Sequence, residues 1–163
     1  MIETSYELLE KEIYDLLGDN KILVLATSSE NRVTARNVSC IVTGKKVCFQ
    51  TDKAFLKYKQ IIKNQNVALC TENIQIEGIT KIKGHPLTEE NKDFAEKYKK
   101  YYKSSYDNYS HLENEAVIEV EPTYITLWKY ENGQPYRDFL DVKAEKAYRQ
   151  YYDTRFQGNI FYV

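Results

Sequence analysis

A tight hairpin near the middle of the chain constrains the fold most. Strand-like residues run over 32–43 and 46–51, and Gly44-Lys45 lies between them. Glycine is favoured in two-residue hairpin turns, because such turns need backbone angles that other residues rarely adopt. We therefore expect two antiparallel strands that pair locally.

The hairpin is followed by a predicted helix over residues 52–64, with Lys53 and Lys57 in its first turns. Cations are disfavoured at a helix N-terminus, where the macrodipole is positive. Free backbone N–H groups at the same place suit a bound phosphate, which would make the lysines favourable. The helix start is therefore a candidate anion site.

The rest of the chain continues the same pattern of local strands and helices. We predict helices over 3–17, 88–103 and 142–152, a strand over 22–27 buried on both faces, and further strands over 67–71 and 74–84. Residues 115–130 are predicted to form a long strand pair that is bent or bulged at Pro122. About six strands in a chain of this length favour a small antiparallel barrel with helices packed against it. With no repeat or linker, we expect one domain over 1–163, in which 131–163 is a C-terminal helical extension.

Composition excludes several classes of function. The 23 basic and 24 acidic residues give a net charge of −1, which argues against general nucleic-acid binding. No apolar run approaches a membrane span, and the acidic N-terminus does not resemble a signal peptide. The three cysteines, Cys40, Cys48 and Cys70, form no CxxC and suit buried thiols in a reducing cytoplasm. The two histidines have no ligand-like spacing, so no metal site is expected.

Three polar residues could share one phosphate. Strand alternation places Arg36 on the same face as Val38, Thr51 ends the next strand, and Lys57 lies in the following helix. Together Arg36, Thr51 and Lys57 could surround a phosphate with charge-assisted hydrogen bonds. On spacing alone, an arginine at a strand edge with two solvated lysines is an equally open interpretation.

Glutamates and tyrosines are abundant further along the chain, and both are interpreted as structural. Alternation puts Glu115, Glu119 and Glu121 on one strand face, which is typical of a solvated face. The tyrosines at helical spacing after residue 97 are typical of core or interface packing.

Five motifs, in order, resemble the pyridoxamine 5′-phosphate oxidase-like flavin-binding split barrels. They are Arg36-Asn37-Val38, Phe49-Gln50-Thr51, Lys57, Gln65-Asn66-Val67 and the strand Ile74-Gln75-Ile76-Glu77-Gly78. The resemblance covers roughly residues 5–130. It implies a mainly β fold with flanking helices, namely a six-stranded antiparallel split β-barrel of the FMN-binding type.

The resemblance also implies a homodimer that binds two FMN molecules at its interface. The residues it assigns to the cofactor are Arg36 and Lys57 on the phosphate, with Thr51 and Lys53 beside them; Asn37, Val38 and Ser39 along the flavin ring; Gln50 next to the ring; Asn73 as a polar ring contact; and Trp128 as a cover from the second subunit. Core or dimer packing is the open alternative for Trp128.

Two departures from the family pattern narrow the expected activity. Position 56 is Leu, where the oxidases often have a polar residue, and the segment after Tyr136 has no His to grip a substrate phosphate. We therefore do not expect true pyridoxamine phosphate oxidation. The chain is more similar to the small members related to general stress proteins and nitroimidazole-resistance proteins.

The function expected from the resemblance is an FMN-dependent oxidoreductase. It would pass electrons from a reduced nicotinamide to a small acceptor that the sequence does not identify, and no catalytic residue is assigned. A non-catalytic flavin- or haem-binding stress-response module is the alternative, although His85 and His111 are poorly placed as haem ligands. A deazaflavin is a further candidate cofactor.

Overall fold

The computed structural model describes residues 1–152 of the chain. Its helices are α1 (Tyr6–Leu17), α2 (Leu56–Lys63), α3 (Lys92–Tyr101) and α4 (Lys103–Tyr109). Its strands are β1 (Ile2–Thr4), β2 (Asn20–Ser29), β3 (Arg32–Thr43), β4 (Lys46–Asp52), β5 (Asn66–Thr71), β6 (Ile74–Ile82), β7 (Glu115–Glu131), β8 (Gln134–Asp141) and β9 (Lys146–Tyr151).

Six of the strands close into an antiparallel barrel. The order is β7-β4-β3-β2-β5-β6, and β6 pairs back onto β7. Strand β7 is long enough to serve two neighbours in succession: its first half pairs with β4 and its second half with β8. Strands β8, β9 and β1 extend from that second half. The predicted fold, a six-stranded antiparallel split barrel with flanking helices, is confirmed.

The hairpin that opened the sequence argument forms as predicted. Gly44 and Lys45 both have positive φ, of 56° and 61°, between β3 and β4. Two consecutive positive φ angles are the signature of the turn whose twist matches that of paired strands. The hairpin register follows, with Thr43 opposite Lys46.

The predicted irregularity at Pro122 is also present. The β6–β7 register shifts between Glu77 and Gly78, and Gly78 lies opposite Pro122. A Cβ on Gly78 would lie 2.5 Å from Val120 Cγ1 and 2.9 Å from the carbonyl oxygen of Glu121. Glycine is therefore required where the bulged strand approaches most closely.

The barrel interior holds the main core, and α1 packs against it through Leu9, Ile13 and Leu17. Strand β2 contributes Leu23 and Leu25 to this core, whereas Ile22 is 47% exposed. The prediction that residues 22–27 are buried on both faces is therefore wrong for a single chain, because nothing within residues 1–152 covers one face of β2. A second cluster forms where Phe94 and Tyr98 of α3 cover the outer face of the sheet.

The predicted helix over 142–152 is wrong, because residues 146–151 form β9. Asn132 and Gly133, with φ of 50° and 79°, turn β7 into β8. Strand β9 then pairs with β8 on one side and with β1 on the other. These ladder hydrogen bonds override the helix propensity of the Lys, Glu and Ala residues in the segment. Residues 153–163 of the predicted extension lie outside the described residues.

Two helix boundaries also differ from the prediction. Helix α2 begins at Leu56, so Lys53 precedes it instead of lying in its first turn. The segment predicted as one helix over 88–103 is a short 3₁₀ turn at Glu89–Asn91 followed by α3, with α4 beyond it. Within residues 1–152, no helix is long and apolar enough to cross a membrane.

Candidate functional site

Arg36 is held on the inward face of β3 by neutral partners. Its Nη1 donates to Thr27 Oγ1 at 2.7 Å and to the carbonyl oxygen of Leu25 at 3.3 Å, and its Nη2 donates to Thr34 Oγ1. Register explains the grouping, because Thr27 lies opposite Thr34, and Arg36 lies two residues further along the same face of β3, opposite Leu25. The guanidinium is therefore fixed in place without losing its charge.

Gln60 of α2 holds the two threonines that orient Arg36. Its side chain is 1% exposed, and its Oε1 accepts hydrogen bonds from Thr27 Oγ1 at 2.6 Å and Thr34 Oγ1 at 2.7 Å. Its Nε2 donates to the carbonyl oxygen of Arg32. Each threonine hydroxyl has one hydrogen, which it gives to Gln60, so its lone pairs are left for Arg36. This network orients the Arg36 guanidinium through hydrogen bonds alone.

Lys57 lies in the first turn of α2, close to Arg36. Burial lowers the pKa of Lys57, and the nearby charge of Arg36 lowers it further, while Glu115 partly opposes both effects. Burial likewise lowers the pKa of Arg36. Among residues 1–152, no carboxylate forms an ion pair with either of the two cations. Two half-buried positive charges without an acidic partner are suited to an anion.

The start of α2 supports the same conclusion. Phe55 occupies the N-cap position and gives no side-chain hydrogen bond to the helix, and the first turn contains no acidic residue. The free N–H groups of such a turn are normally satisfied by a capping side chain or a ligand. The Lys57 ammonium group lies beside this helix start, 4.9 Å from the centroid of the Phe55 ring.

A cavity of about 350 Å³ opens beside this helix start. It brings together three of the residues predicted for the cofactor: Gln50, Thr51 and Lys57. The remaining wall is formed by Asp52, Phe55, Tyr98, Tyr109, Leu112 and Glu115. Arg36 lies next to Lys57 but does not line the cavity itself. The cavity thus combines one cation, Lys57, with three aromatic side chains and two carboxyl groups.

Glu115 corrects a prediction. Alternation indicated a solvated face for Glu115, Glu119 and Glu121, but Glu115 is 5% exposed. Only the other two fit the pattern: Glu119 pairs with Lys46 and Glu121 pairs with Lys81. The burial of Glu115 comes from the turn after α4 and the helix layer over the sheet, neither of which the strand pattern reveals.

The other predicted residues are divided between two places. Asn73 and Trp128 line a second cavity of about 250 Å³ together with Arg137. Asn73 Nδ2 donates to the Trp128 carbonyl oxygen, and the Trp128 N–H donates to the Asn73 carbonyl oxygen, both at 2.9 Å. The Arg137 guanidinium lies 5.0 Å from the Trp128 ring centroid. Within one chain, neither Asn73 nor Trp128 reaches the cavity of Lys57.

The remaining candidates lie on or near the hairpin. Asn37 and Ser39 are on the outer face of β3, and Val38 is buried in the barrel. Lys53 is exposed in the turn before α2, and its N–H donates to the Asn114 carbonyl oxygen. Among residues 1–152, no cluster of three or more His, Cys, Asp or Glu side chains could hold a metal ion.

Sequence reasoning missed Gln60, Thr27 and Thr34 as supports of Arg36. Periodicity offered one signal, because Gln60 lies beside Ile61 on the face of α2 that packs on the barrel. A buried polar residue needs partners, and the threonines of the facing strands supply them. Arg137 and Glu115 carried no comparable signal.

A sequence profile described as pyridoxamine 5′-phosphate oxidase matches residues 9–129 of the chain. That span includes the whole barrel and both cavities except for Arg137 and Phe139. Among curated proteins, no sequence matches the chain.

Solved structures share the fold at low sequence identity. General stress protein 26 from Bacillus anthracis is 18% identical with a TM-score of 0.64, and the match covers 82% of this chain and 98% of that one. HutZ, the haem storage protein from Vibrio cholerae, is 13% identical with a TM-score of 0.59, covering 70% and 89%. An F420 reductase is 18% identical with a TM-score of 0.52, covering 69% and 94%. At these identities the likeness establishes the fold alone.

Proposed function

Because the chain belongs to the pyridoxamine 5′-phosphate oxidase family, we propose that it binds FMN and acts as an oxidoreductase. It would take electrons from a reduced nicotinamide and pass them to a small acceptor. The family supports flavin- or haem-binding roles in general, and the charges around Arg36 favour the flavin phosphate.

The observation that carries the proposal is the pair of unneutralised cations beside an uncapped helix start. Arg36 is oriented by Thr27 and Thr34, and Lys57 shares its electrostatic field. Both groups are partly desolvated, which strengthens their attraction for an anion. A phosphate monoester offers the oxygens that a guanidinium fork and an ammonium both bind.

Different residues would hold different parts of such a cofactor. Arg36 and Lys57 would bind the phosphate, with Thr51 beside them, and Gln50 would lie further along the cavity. FMN, when bound, supplies the hydride and electron chemistry. The chain supplies orientation and charge, so no acid–base triad is required of it.

The second cavity supports a homodimer with the cofactor at its interface. Asn73, Trp128 and Arg137 form a polar and aromatic set that lies apart from Lys57 in one chain. In a dimer, this set of one subunit would face the phosphate site of its partner. Most residues on the outer face of β2 and β3 are small or apolar, with Asn37 and Ser39 among them, and no element within residues 1–152 covers this face, as a subunit interface requires.

The decisive experiment measures flavin in the protein purified without added cofactor. We expect a flavin absorbance spectrum, FMN identified by mass spectrometry, and loss of the flavin in the Arg36→Ala/Lys57→Ala double variant. Lys59→Ala is the matched control, because Lys59 is an exposed lysine of the same helix that does not line the cavity. No FMN binding at micromolar cofactor, or binding unaffected by the double variant, would contradict the proposal.

A haem or deazaflavin role is the second candidate, because HutZ is a haem storage protein and another structural neighbour is an F420 reductase. The same spectrum separates these outcomes, since haem gives a Soret band and a deazaflavin lacks the flavin spectrum. Turnover with a reduced nicotinamide then separates an oxidoreductase from a storage module.

A further inference from the structure

Glu115 is the one glutamate among residues 1–152 that is fully buried, and it lines the cavity beside Lys57. It begins β7 and lies opposite Asp52 at the end of β4. Burying a carboxylate costs free energy unless it is well paired. Such a position calls for an explanation beyond packing.

A short chain of hydrogen bonds holds one side of this carboxyl group. Gln50 Nε2 donates to Glu115 Oε2 at 3.0 Å, and Ser110 Oγ donates to Gln50 Oε1 at 2.7 Å. The Glu115 N–H donates to the carbonyl oxygen of Leu112. Within the described residues, Gln50 is the only hydrogen-bond partner of the carboxyl group, and it occupies one of the two oxygens.

The groups facing Glu115 are of both signs. Burial raises the pKa of the Glu115 carboxyl group, and the nearby Asp52 raises it further, whereas Gln50, Lys57 and His85 oppose the shift. Tyr98 of α3 and Tyr109 of α4 complete the wall on the side of the helices. Among residues 1–152, Glu115 and Lys57 form no salt bridge, and burial raises the pKa of Glu115 despite the nearby lysine. Glu115 therefore does not serve to neutralise Lys57.

The position of the carboxyl group limits what can lie against it. If Lys57 and Thr51 hold a phosphate, the ligand continues from that phosphate into a cavity whose wall includes an accessible Glu115 carboxyl oxygen that has no hydrogen-bond partner among residues 1–152. A second anionic group there would be repelled, and an apolar group would leave that oxygen without a hydrogen bond. A hydroxyl group satisfies it.

We propose that Glu115 is a specificity-determining residue that accepts a hydrogen bond from a hydroxyl of the chain joining the phosphate to the ring. In FMN that chain is the ribityl group. This inference rests on the proposed function, because it takes the phosphate to lie at Lys57. Gln50 and Ser110 are positioning residues, which fix the carboxyl group by hydrogen bonding to it in series.

The test is a binding cycle with two ligands and two proteins. The ligands are FMN and an FMN analogue in which a phosphorylated pentyl chain replaces the phosphorylated ribityl chain, so that the chain hydroxyls are absent. The proteins are the wild type and Glu115→Gln. In the variant, the amide oxygen can still accept from Gln50, which turns the amide NH₂ group toward the cavity.

We expect the wild type to bind FMN about tenfold or more tightly than the analogue, since a hydrogen bond to a charged group is lost. Glu115→Gln should show a smaller preference, because its amide NH₂ group can donate to a chain hydroxyl but makes a weaker hydrogen bond than the carboxylate does. Glu119→Gln removes a carboxylate on the same strand outside the cavity and should keep the preference of the wild type.

The outcomes separate the two proposals. An undiminished preference for FMN in Glu115→Gln and Glu115→Ala, or a wild type that binds both ligands equally, overturns the role of Glu115 while leaving the phosphate site intact. Failure of the wild type to bind either ligand overturns the proposed function as well. Thermal unfolding of each variant checks that a reduced preference does not come from misfolding, and Glu115→Ala should lose the preference.

Discussion

At the scale of single residues, the candidate phosphate site is unfavourable to the fold in the absence of a ligand. Arg36 and Lys57 are partly desolvated, and each lies in the field of a like charge. Functional sites commonly give up stability in this way, because the groups that bind a ligand are left unsatisfied without it. The effect should be measurable at Lys57.

We predict that Lys57→Met stabilises the protein free of ligand. The folded pKa of Lys57 lies below its unfolded value, so the folded state is penalised at every pH where the lysine is charged, and the penalty fades only as pH rises through the folded pKa. Methionine keeps most of the apolar stem and removes the charge. At neutral pH we expect a gain of about 1 kcal/mol in the free energy of unfolding, or roughly 2–4 °C in Tm.

The control for this prediction is Lys53→Met, which changes an exposed lysine and should leave Tm nearly unchanged. Adding inorganic phosphate should raise the Tm of the wild type but not that of Lys57→Met, because ligand binding stabilises only the folded state that binds it. A lower Tm for Lys57→Met in the absence of ligand would contradict the idea that Lys57 is unfavourable to the fold.

At the scale of elements, local signals predicted the first half of the chain well. The Gly44-Lys45 turn fixes the β3–β4 hairpin within a few residues, so its register can be derived from the sequence. The Asn132-Gly133 turn is an equally local signal, and it marks the β7–β8 hairpin that the predicted helical extension over 131–163 overlooked. Strand β9, in contrast, depends on pairing with β1 at the far end of the chain. No local pattern reveals that contact.

The candidate site shows the same contrast between residues placed by local sequence and residues placed by long-range packing. Alternation correctly placed Arg36 on the inward face of β3, because that depends on neighbouring residues alone. The burial of Glu115 depends on α3 and α4, which return over the sheet from a different part of the chain. Strand periodicity therefore indicated a solvated face for a residue that tertiary packing encloses.

Strands β7, β8 and β9 and helix α1 are joined by one buried charge cluster. Asp138 is buried, and it accepts hydrogen bonds from Arg149 Nε at 2.7 Å and Nη2 at 2.9 Å. Lys129 Nζ lies 3.1 Å from the same carboxylate and also pairs with Glu12 of α1. Removing the central carboxylate would leave Arg149 without an acidic partner among residues 1–152 and would leave Lys129 with Glu12 alone.

We predict that Asp138→Asn lowers the free energy of unfolding by about 3–5 kcal/mol at neutral pH. Burial alone raises the pKa of Asp138, but the hydrogen bonds from Arg149 and Lys129 outweigh it, and the net pKa is lowered. A lowered folded pKa gives stability that is present above the unfolded pKa and lost as pH falls through the folded pKa. The cost of the variant should therefore shrink as urea unfolding is repeated toward about pH 3.

Asp15→Asn is the matched control, because Asp15 and its partner Lys11 are both well exposed. Exposed ion pairs contribute little, so we expect a change within about 0.5 kcal/mol. A cost for Asp138→Asn that stays constant across the pH range would show that shape, and not charge, determines the stability at this position.

At the scale of the whole molecule, one face of the sheet has no cover within residues 1–152. Most of the residues that point outward from β2, β3 and β5 are small or apolar, with Asn37 and Ser39 as polar members of the same face. The small or apolar ones are Ile22, Val24, Ala26, Val33, Ala35, Ala68 and Cys70. Val33 is 71% exposed in the single chain. A second copy of the chain on this face would bury it, and would also account for the doubly apolar sequence of residues 22–27.

Such a dimer makes a joint prediction about assembly and cofactor. Ala35 lies near the middle of the apolar face, opposite Ala26 in the β2–β3 ladder, and is exposed in the single chain. Ala35→Glu should therefore cost the isolated subunit little, while a buried unpaired charge at an interface is strongly unfavourable. We expect the variant to be monomeric by analytical ultracentrifugation, with a folded circular dichroism spectrum. It should lose FMN at the same time, because Asn73 and Trp128 of a partner would no longer face the phosphate site.

Leu8→Glu, on the exposed face of α1, is the control and should remain dimeric with FMN bound. A monomeric Ala35→Glu that still binds FMN as tightly as the wild type would place the whole cofactor site within one chain, and dissociation by Leu8→Glu instead would move the interface to α1.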